Sequence, residues 1–375
     1  MKVVQSIQAM RGIAALFVVL YHYRSSLNKH YEDPALGDTL FGAGYFGVDL
    51  FFMISGFIIV YVTAARTGDG TLSFLAKRLF RVVPLAAIGT VAAFFLLPGT
   101  DSLNYLWKSL AFIPLKNNDP PFFGYSVLQP EWTLTYELIF YCIFGLALAI
   151  SHKYRVAIAA GVILTMVLGG QALLGDFTLN PYRSPLAPWD HWTAQLVSLT
   201  ANPMLLEFVF GMLCAEAYLR FRSSKSYLLG LFAATALVYF VNLWIHKSVG
   251  GHGVLGAGLP CFFILLSLTL FEKSSKSFYV PQPLIKLGDL SYSIYLSHSF
   301  VWELFTPRAG EQHLAIELVG LEKLLAMLGT TLILSWALYH CIELPAMRIG
   351  RALIRAAHFV KPSAVLIWTK TKSTA

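Results

Sequence analysis

The chain has 375 residues, 57% of them hydrophobic and 13% charged, with a formal net charge of +8. A soluble globular protein carries about 25% charged residues. The depletion here, with a mean hydropathy of +0.63, excludes a soluble enzyme and points to an all-α, polytopic membrane protein whose first partner is the lipid bilayer. The basic excess lies beside the hydrophobic runs, where it orients a membrane protein, so it does not argue for a nucleic-acid partner.

Ten stretches read as transmembrane helices: 6–24, 45–64, 82–98, 134–151, 155–174, 203–220, 227–245, 254–271, 284–304 and 324–343. They make one membrane domain over 1–345, followed by a basic, amphipathic tail over 346–375 that suits the anionic inner leaflet. Arg11 interrupts the first run and no small-residue cleavage site follows Tyr23, so that run is read as a span and not a leader. The third span is short, and the ninth carries Lys286, Asp289 and His298. With the N-terminus in the cytoplasm, 20 of the 28 Lys and Arg residues fall on inside segments. That asymmetry expects ten spans with both termini cytoplasmic. Cys142, Cys214, Cys261 and Cys341 all fall in apolar runs and read as small buried hydrophobes.

In the first span Arg11 and His22 are eleven residues apart. At 100° per residue this is about 20° past three turns, so both share a helix face, separated by roughly 16 Å of depth. Arg11 snorkelling to headgroups and His22 at the opposite interface is one reading; a polar path along that face is the other. Arg78 and Arg81 lie one turn apart and can point together. With Arg11 they could grip phosphates through the guanidinium fork, or be ordinary inside charge. A different set gathers toward the outer side: His22, Asp49, Glu137 and His298. A carboxylate beside His22 would orient it as a general base, and the sequence does not fix which carboxylate that is. Glu343, before Pro345, reads as part of a helix end. Two outer loops, about 99–133 and 175–202, are rich in Tyr, Trp and Pro. An interfacial aromatic belt explains them, and a sugar-stacking surface is the alternative.

These pieces together resemble acyltransferase family 3, integral-membrane enzymes that acylate envelope sugars and glycans. The resemblance rests on Arg11 through His22, on Gly47-Val48-Asp49-Leu50-Phe51-Phe52-Met53-Ile54-Ser55-Gly56-Phe57 and on Arg78-x-x-Arg81. It continues with Trp132-Thr133-Leu134-Thr135-Tyr136-Glu137, Leu290 to His298, and Ile342-Glu343-x-Pro345. The opening Ser6 to Gly12 is similar to the exopolysaccharide O-acetyltransferase branch. The chain ends about 30 residues past the tenth span, so the soluble domain that some members carry is not expected.

The resemblance implies transfer of an acyl group, acetyl from cytoplasmic acetyl-CoA, to a hydroxyl of an envelope polysaccharide or its lipid-linked precursor in a bacterial inner membrane. Polysaccharide-assembly proteins would be candidate partners, and no metal is implied. His22 would be the base, with Glu137 the first candidate to orient it and Asp49 the second, and an acyl-His intermediate is also open. Arg11, Arg78 and Arg81 would hold the donor; Trp132, Ser55, Tyr292 and His298 would contact substrate. Two other classes stand beside this: a proton-coupled exporter using His22, Asp49, Glu137 and His298 as a relay, and a non-catalytic scaffold.

Overall fold

A computed structural model of the chain describes residues 3–65, 70–97, 102–189, 191–222, 225–246, 250–306 and 318–359, with 357–359 described by backbone alone. Every regular element among the described residues is helical. The long helices are α1 (Gln5–Tyr23), α2 (Phe46–Val62), α3 (Thr71–Leu96), α4 (Trp132–Ile150) and α5 (Arg155–Leu174). They continue as α6 (Leu206–Arg220), α7 (Ser226–Ile245), α8 (Leu259–Ser274), α9 (Gln282–Phe305), α10 (Gly320–Leu338) and α11 (Leu344–Phe359). Each of the ten expected stretches overlaps one of these helices, though not always with the expected bounds.

Seven helical segments among the described residues are long and apolar enough to cross a membrane: Leu36–Val62, Thr71–Leu96, Gln129–Ile150, Arg155–Leu174, Ser226–Ile245, Val254–Ser274 and Gly320–Ala356. Trp192–Thr200 with Pro203–Arg220, bent by 49°, would make an eighth. α1 and α9 fall outside this set because they carry the polar side chains. The two pack on each other, and the contact is backbone-close: a Cβ on Gly12 would stand 2.9 Å from the Gly288 nitrogen. Polar faces turned toward a neighbouring helix escape the lipid, which is how such helices persist in a bilayer.

Three expectations are corrected. The third span does not begin at Val82: α3 starts at Thr71 and runs through Lys77, Arg78 and Arg81, because Arg78 and Arg81 line an internal cavity and need no loop, while Lys77 is exposed. Pro345 does not end the tenth helix. A π-helical turn over Tyr339–Glu343 links α10 to α11, and its wider i→i+5 pattern accommodates a ring that lacks an N–H and crowds the preceding turn. Cys214 and Cys261 are buried, whereas Cys142 and Cys341 are exposed on the outer surface of the bundle. The expected tail begins as α11, which carries Arg348, Arg351 and Arg355; residues 360–375 lie outside the described set.

The start of α1 is tied down from a distance. Glu272 in the last turn of α8 accepts from the Gln5 and Ser6 backbone N–H groups, both at 2.8 Å, and from Ser6 Oγ at 2.6 Å. A carboxylate there satisfies N–H groups that have no intrahelical partner and complements the helix dipole. Glu272→Gln removes the charge and is expected to cost about 1.5–3 kcal/mol. It should lower the melting temperature of detergent-solubilised protein, and an unchanged melting curve would show that the contact carries no net stability.

Candidate active site

A cavity of about 450 Å³ opens between α1, α2, α3, α4 and α9, within the usual size of a small-molecule site. It reaches Val3 and Val4 before α1, and Tyr339, Glu343 and Met347 around the π-turn. Arg11, Arg78 and Arg81 all line it, although they come from two helices. Arg11 Nη1 donates to Gln8 Oε1 at 2.9 Å, and Gln8 Nε2 donates to Asp289 Oδ1 at 2.6 Å, so Arg11 is oriented by a chain that crosses from α1 to α9. The Arg78 guanidinium lies 6.0 Å from the centroid of the Tyr141 ring.

Glu137 faces this cavity. Its Oε1 accepts from Ser55 Oγ at 2.8 Å and from Tyr141 O–H at 2.5 Å. Ser55 and Tyr292 line the same space, and Tyr292 O–H donates to the Val82 carbonyl at 2.7 Å. Glu343 also lines it, with Oε2 accepting from Ser293 Oγ at 2.9 Å. Its reading as a simple helix end is therefore replaced by a place among the arginines. Three carboxylates, Glu137, Asp289 and Glu343, thus share the cavity with three guanidiniums.

His22 is placed differently from expectation. Neither Glu137 nor Asp49 bonds it. Its Nδ1 donates to the Val18 carbonyl at 3.1 Å, one turn back on α1. A carbonyl only accepts, so Nδ1 carries the hydrogen and Nε2 keeps the lone pair. The ring's neighbour is His298, 4.8 Å away between centroids. His298 is itself fixed by Nδ1 donating to the Tyr295 carbonyl at 2.6 Å, while its own carbonyl accepts from Tyr23 O–H at 2.9 Å. His22 and His298 are not among the lining residues of the arginine cavity. Tyr295 bridges the two regions: it lines the cavity, and its ring stands 5.9 Å from that of His298. Phe51, also a lining residue, packs against Tyr295 at 5.8 Å. The Tyr295 hydroxyl accepts from Thr133 Oγ1 at 3.1 Å and donates to Pro130 O at 3.3 Å, which holds the ring in place.

Asp49 belongs to another group. Its Oδ2 accepts from His252 Nδ1 at 2.7 Å and its Oδ1 from the Gly253 N–H at 2.8 Å. Trp132, expected at a substrate, lies here as well, 6.0 Å from the His252 ring, and does not line the arginine cavity. The relay that an exporter would need therefore bonds in three different places. Phe122, Tyr125 and Tyr182 fold toward this region, while Trp107, Trp189 and Trp192 are exposed as an interfacial belt requires.

The model of acyltransferase family 3, described as an acyltransferase domain, matches residues 4–340 of the chain. The chain belongs to acyltransferase family 3. Among its relatives is the exopolysaccharide production protein ExoZ of Rhizobium meliloti (strain 1021), 30% identical over 332 residues, which cover 83% of this chain and 92% of ExoZ. Nodulation protein 10 of Rhizobium leguminosarum bv. viciae is 28% identical over 376 residues, 92% of this chain and 94% of that protein. No solved structure matches. The chain is thus an all-helical, multi-span membrane acyltransferase of a bacterial family.

Several residues at this family-3 site were not singled out from sequence. Tyr295 lay inside a quoted segment without a role. His252 and Glu207 went unremarked, though Gly250-Gly251-His252-Gly253 is an unusual run before a hydrophobic span, and Glu207 interrupts another soon after Asn202-Pro203.

Proposed function

We propose that the protein is an O-acetyltransferase of the bacterial inner membrane, with ten spans and both termini cytoplasmic, that moves acetyl from cytoplasmic acetyl-CoA to a hydroxyl of an envelope polysaccharide or its lipid-linked precursor. The observation that carries this reading is the convergence of Arg11, Arg78 and Arg81 on one cavity. Guanidiniums recognise phosphate oxygens through paired donors, and the donor is rich in phosphate. The name of ExoZ supports a polysaccharide as acceptor.

In this reading the phosphates bind at the arginines and the pantetheine arm runs up the cavity past Ser55 and Tyr292. The thioester meets His22 once the Tyr295 ring turns aside. The acceptor hydroxyl gives its proton to His22 Nε2 as its oxygen attacks the thioester carbonyl. The tetrahedral adduct then expels the CoA sulfur, breaking the C–S bond, and the proton on His22 passes to that thiolate. The Val18 carbonyl supplies the orienting contact that a carboxylate was expected to supply, and it leaves Nε2 as the basic nitrogen.

The test pairs binding with turnover in nanodiscs. Arg78→Ala and Arg81→Ala are each expected to weaken acetyl-CoA binding about 10- to 150-fold, the equivalent of about 1.5–3 kcal/mol for one charge-assisted hydrogen bond. Saturating donor should restore most of the transfer rate. Wild-type affinity for acetyl-CoA in both variants would remove the arginines from the donor site.

A further inference from the structure

A second polar centre sits where the loop before α8 meets α2 and α6. His252, 7% exposed, donates from Nδ1 to Asp49, and Asp49 is fully buried. Beyond Asp49 stands Glu207 of α6, also fully buried. No donor among the described residues reaches either Glu207 oxygen. The loop is pinned in place: the His252 N–H donates to Tyr182 O–H at 3.2 Å and the Gly251 N–H to Tyr45 O–H at 2.9 Å. Gly251 and Gly253, at φ +86° and +96°, adopt backbone conformations that suit glycine.

The imidazole is ringed by aromatic side chains. Ring centroids stand at 5.2 Å for Tyr45, 6.0 Å for Trp132, 6.1 Å for Tyr182 and 6.3 Å for Phe122, and the Tyr182 ring is nearly parallel to it at 22°. With Nδ1 committed to Asp49, Nε2 keeps its lone pair, and no described residue bonds it. Tyr182 remains 40% exposed, so its ring is open to a ligand. A purely structural His–Asp pair accounts for Nδ1, but not for an unused Nε2 among four rings or for a buried Glu207 carboxyl without a hydrogen-bond partner among the described residues.

We propose that this centre is the acceptor subsite: a saccharide ring lies on Tyr182 and donates one hydroxyl to His252 Nε2. The proposal rests on the acyl-transfer reading above and names how the acceptor is held. The Nε2 of a neutral His252 accepts, so the ligand must bring a donor to that nitrogen, which an ionised phosphate or carboxylate cannot do. A sugar meets both demands, with apolar C–H faces for the rings and hydroxyls at its edge. The hydroxyl bound here is not the one acylated. Tyr45 and Tyr21 pack at 5.7 Å, and Tyr21 and His22 at 5.2 Å, so a line of rings runs from His252 to the base. A glycan of two or more units anchored at His252 presents a different hydroxyl to His22, and His252 sets that register as a positioning residue.

The experiment uses the full chain in nanodiscs with [14C]acetyl-CoA. The acceptors are carbohydrate extracted from the envelope of the native host, cellobiose and glucose. His252→Asn keeps a donor to Asp49 at the Nδ1 position and loses the acceptor at Nε2. Tyr182→Ala removes the stacking face, and Tyr182→Phe keeps it. His252→Asn is expected to raise the acceptor KM about tenfold and Tyr182→Ala about three- to tenfold. Tyr182→Phe, which keeps the stacking face and loses only the 3.2 Å contact to the His252 N–H, should raise the acceptor KM less than Tyr182→Ala, and the Kd for acetyl-CoA should stay within twofold in all three. An unchanged acceptor KM in both His252→Asn and Tyr182→Ala, with transfer intact, overturns the subsite and leaves the acyl-transfer reading standing. Wild-type protein that binds acetyl-CoA and labels none of the three acceptors overturns both.

Discussion

Replacing His22 by Ala or Gln lowers acetyl transfer by about 10²–10⁴-fold, the usual contribution of a general base, while acetyl-CoA binding stays within twofold. Gln makes the decisive variant. It can donate to the Val18 carbonyl and fill much of the space, but its amide takes no proton at neutral pH. The loss should appear in single-turnover transfer at saturating donor. Were His22 to carry the acyl group itself, the loss would be larger still and an acylated wild-type intermediate could be trapped by rapid quenching. Glu137→Gln should leave proton abstraction at His22 in place, because Glu137 bonds Ser55 and Tyr141 and not the imidazole; its effect should fall on donor affinity. Transfer by His22→Gln at near wild-type rate would end the general-base assignment.

The second large effect is structural. α2 and α6 approach so closely that a Cβ on Gly211 would collide with the Met53 carbonyl, and one on Gly56 with the Phe208 carbonyl. Two small residues facing each other let helix backbones meet, which in a bilayer replaces the hydrophobic drive available in water. Gly211→Leu cannot be absorbed by a rotamer change, since the obstacle is backbone. It is expected to destabilise the bundle by more than the roughly 1–3 kcal/mol typical of overpacking. Fluorescence-detected size exclusion should show loss of the monodisperse peak. A wild-type profile for Gly211→Leu would mean that α2 and α6 can separate without loss of fold. Because Asp49 sits on α2 and Glu207 on α6, a milder Gly211→Ala should disturb the His252 centre before the arginine cavity.

The helices were legible because apolar runs of membrane length announce themselves, and the shared face of Arg11 and His22 followed from helical periodicity. The pairing of Arg78 with Arg81 was legible for the same reason. What the sequence hid was which acid meets which base. Asp49 and His252 are 203 positions apart, joined only when α2, α6 and the loop before α8 pack, and no periodicity encodes such a meeting. The orienting partner of His22 was hidden for a different reason: it is a backbone carbonyl, which every residue possesses. The start of α3 was misplaced because cations at a helix end resemble a loop boundary until a cavity is seen beside them. Pro345 read as a terminator because a local rule about proline does not foresee a π-turn.

In the inner membrane proposed above, the packed rings of Phe51 and Tyr295 would also bear on how the cell keeps that membrane energised. A path of protonatable groups running from one face to the other would let current through whenever the enzyme stood idle. Each elementary charge crossing 100 mV dissipates about 2.3 kcal/mol. Here Arg11, Glu137 and Glu343 lie on one side of two interlocked rings, and the His22–His298 pair lies beyond them. On the acyl-transfer reading proposed above, the two rings would separate the cavity's charged groups from the histidine pair and so keep the resting protein from conducting protons.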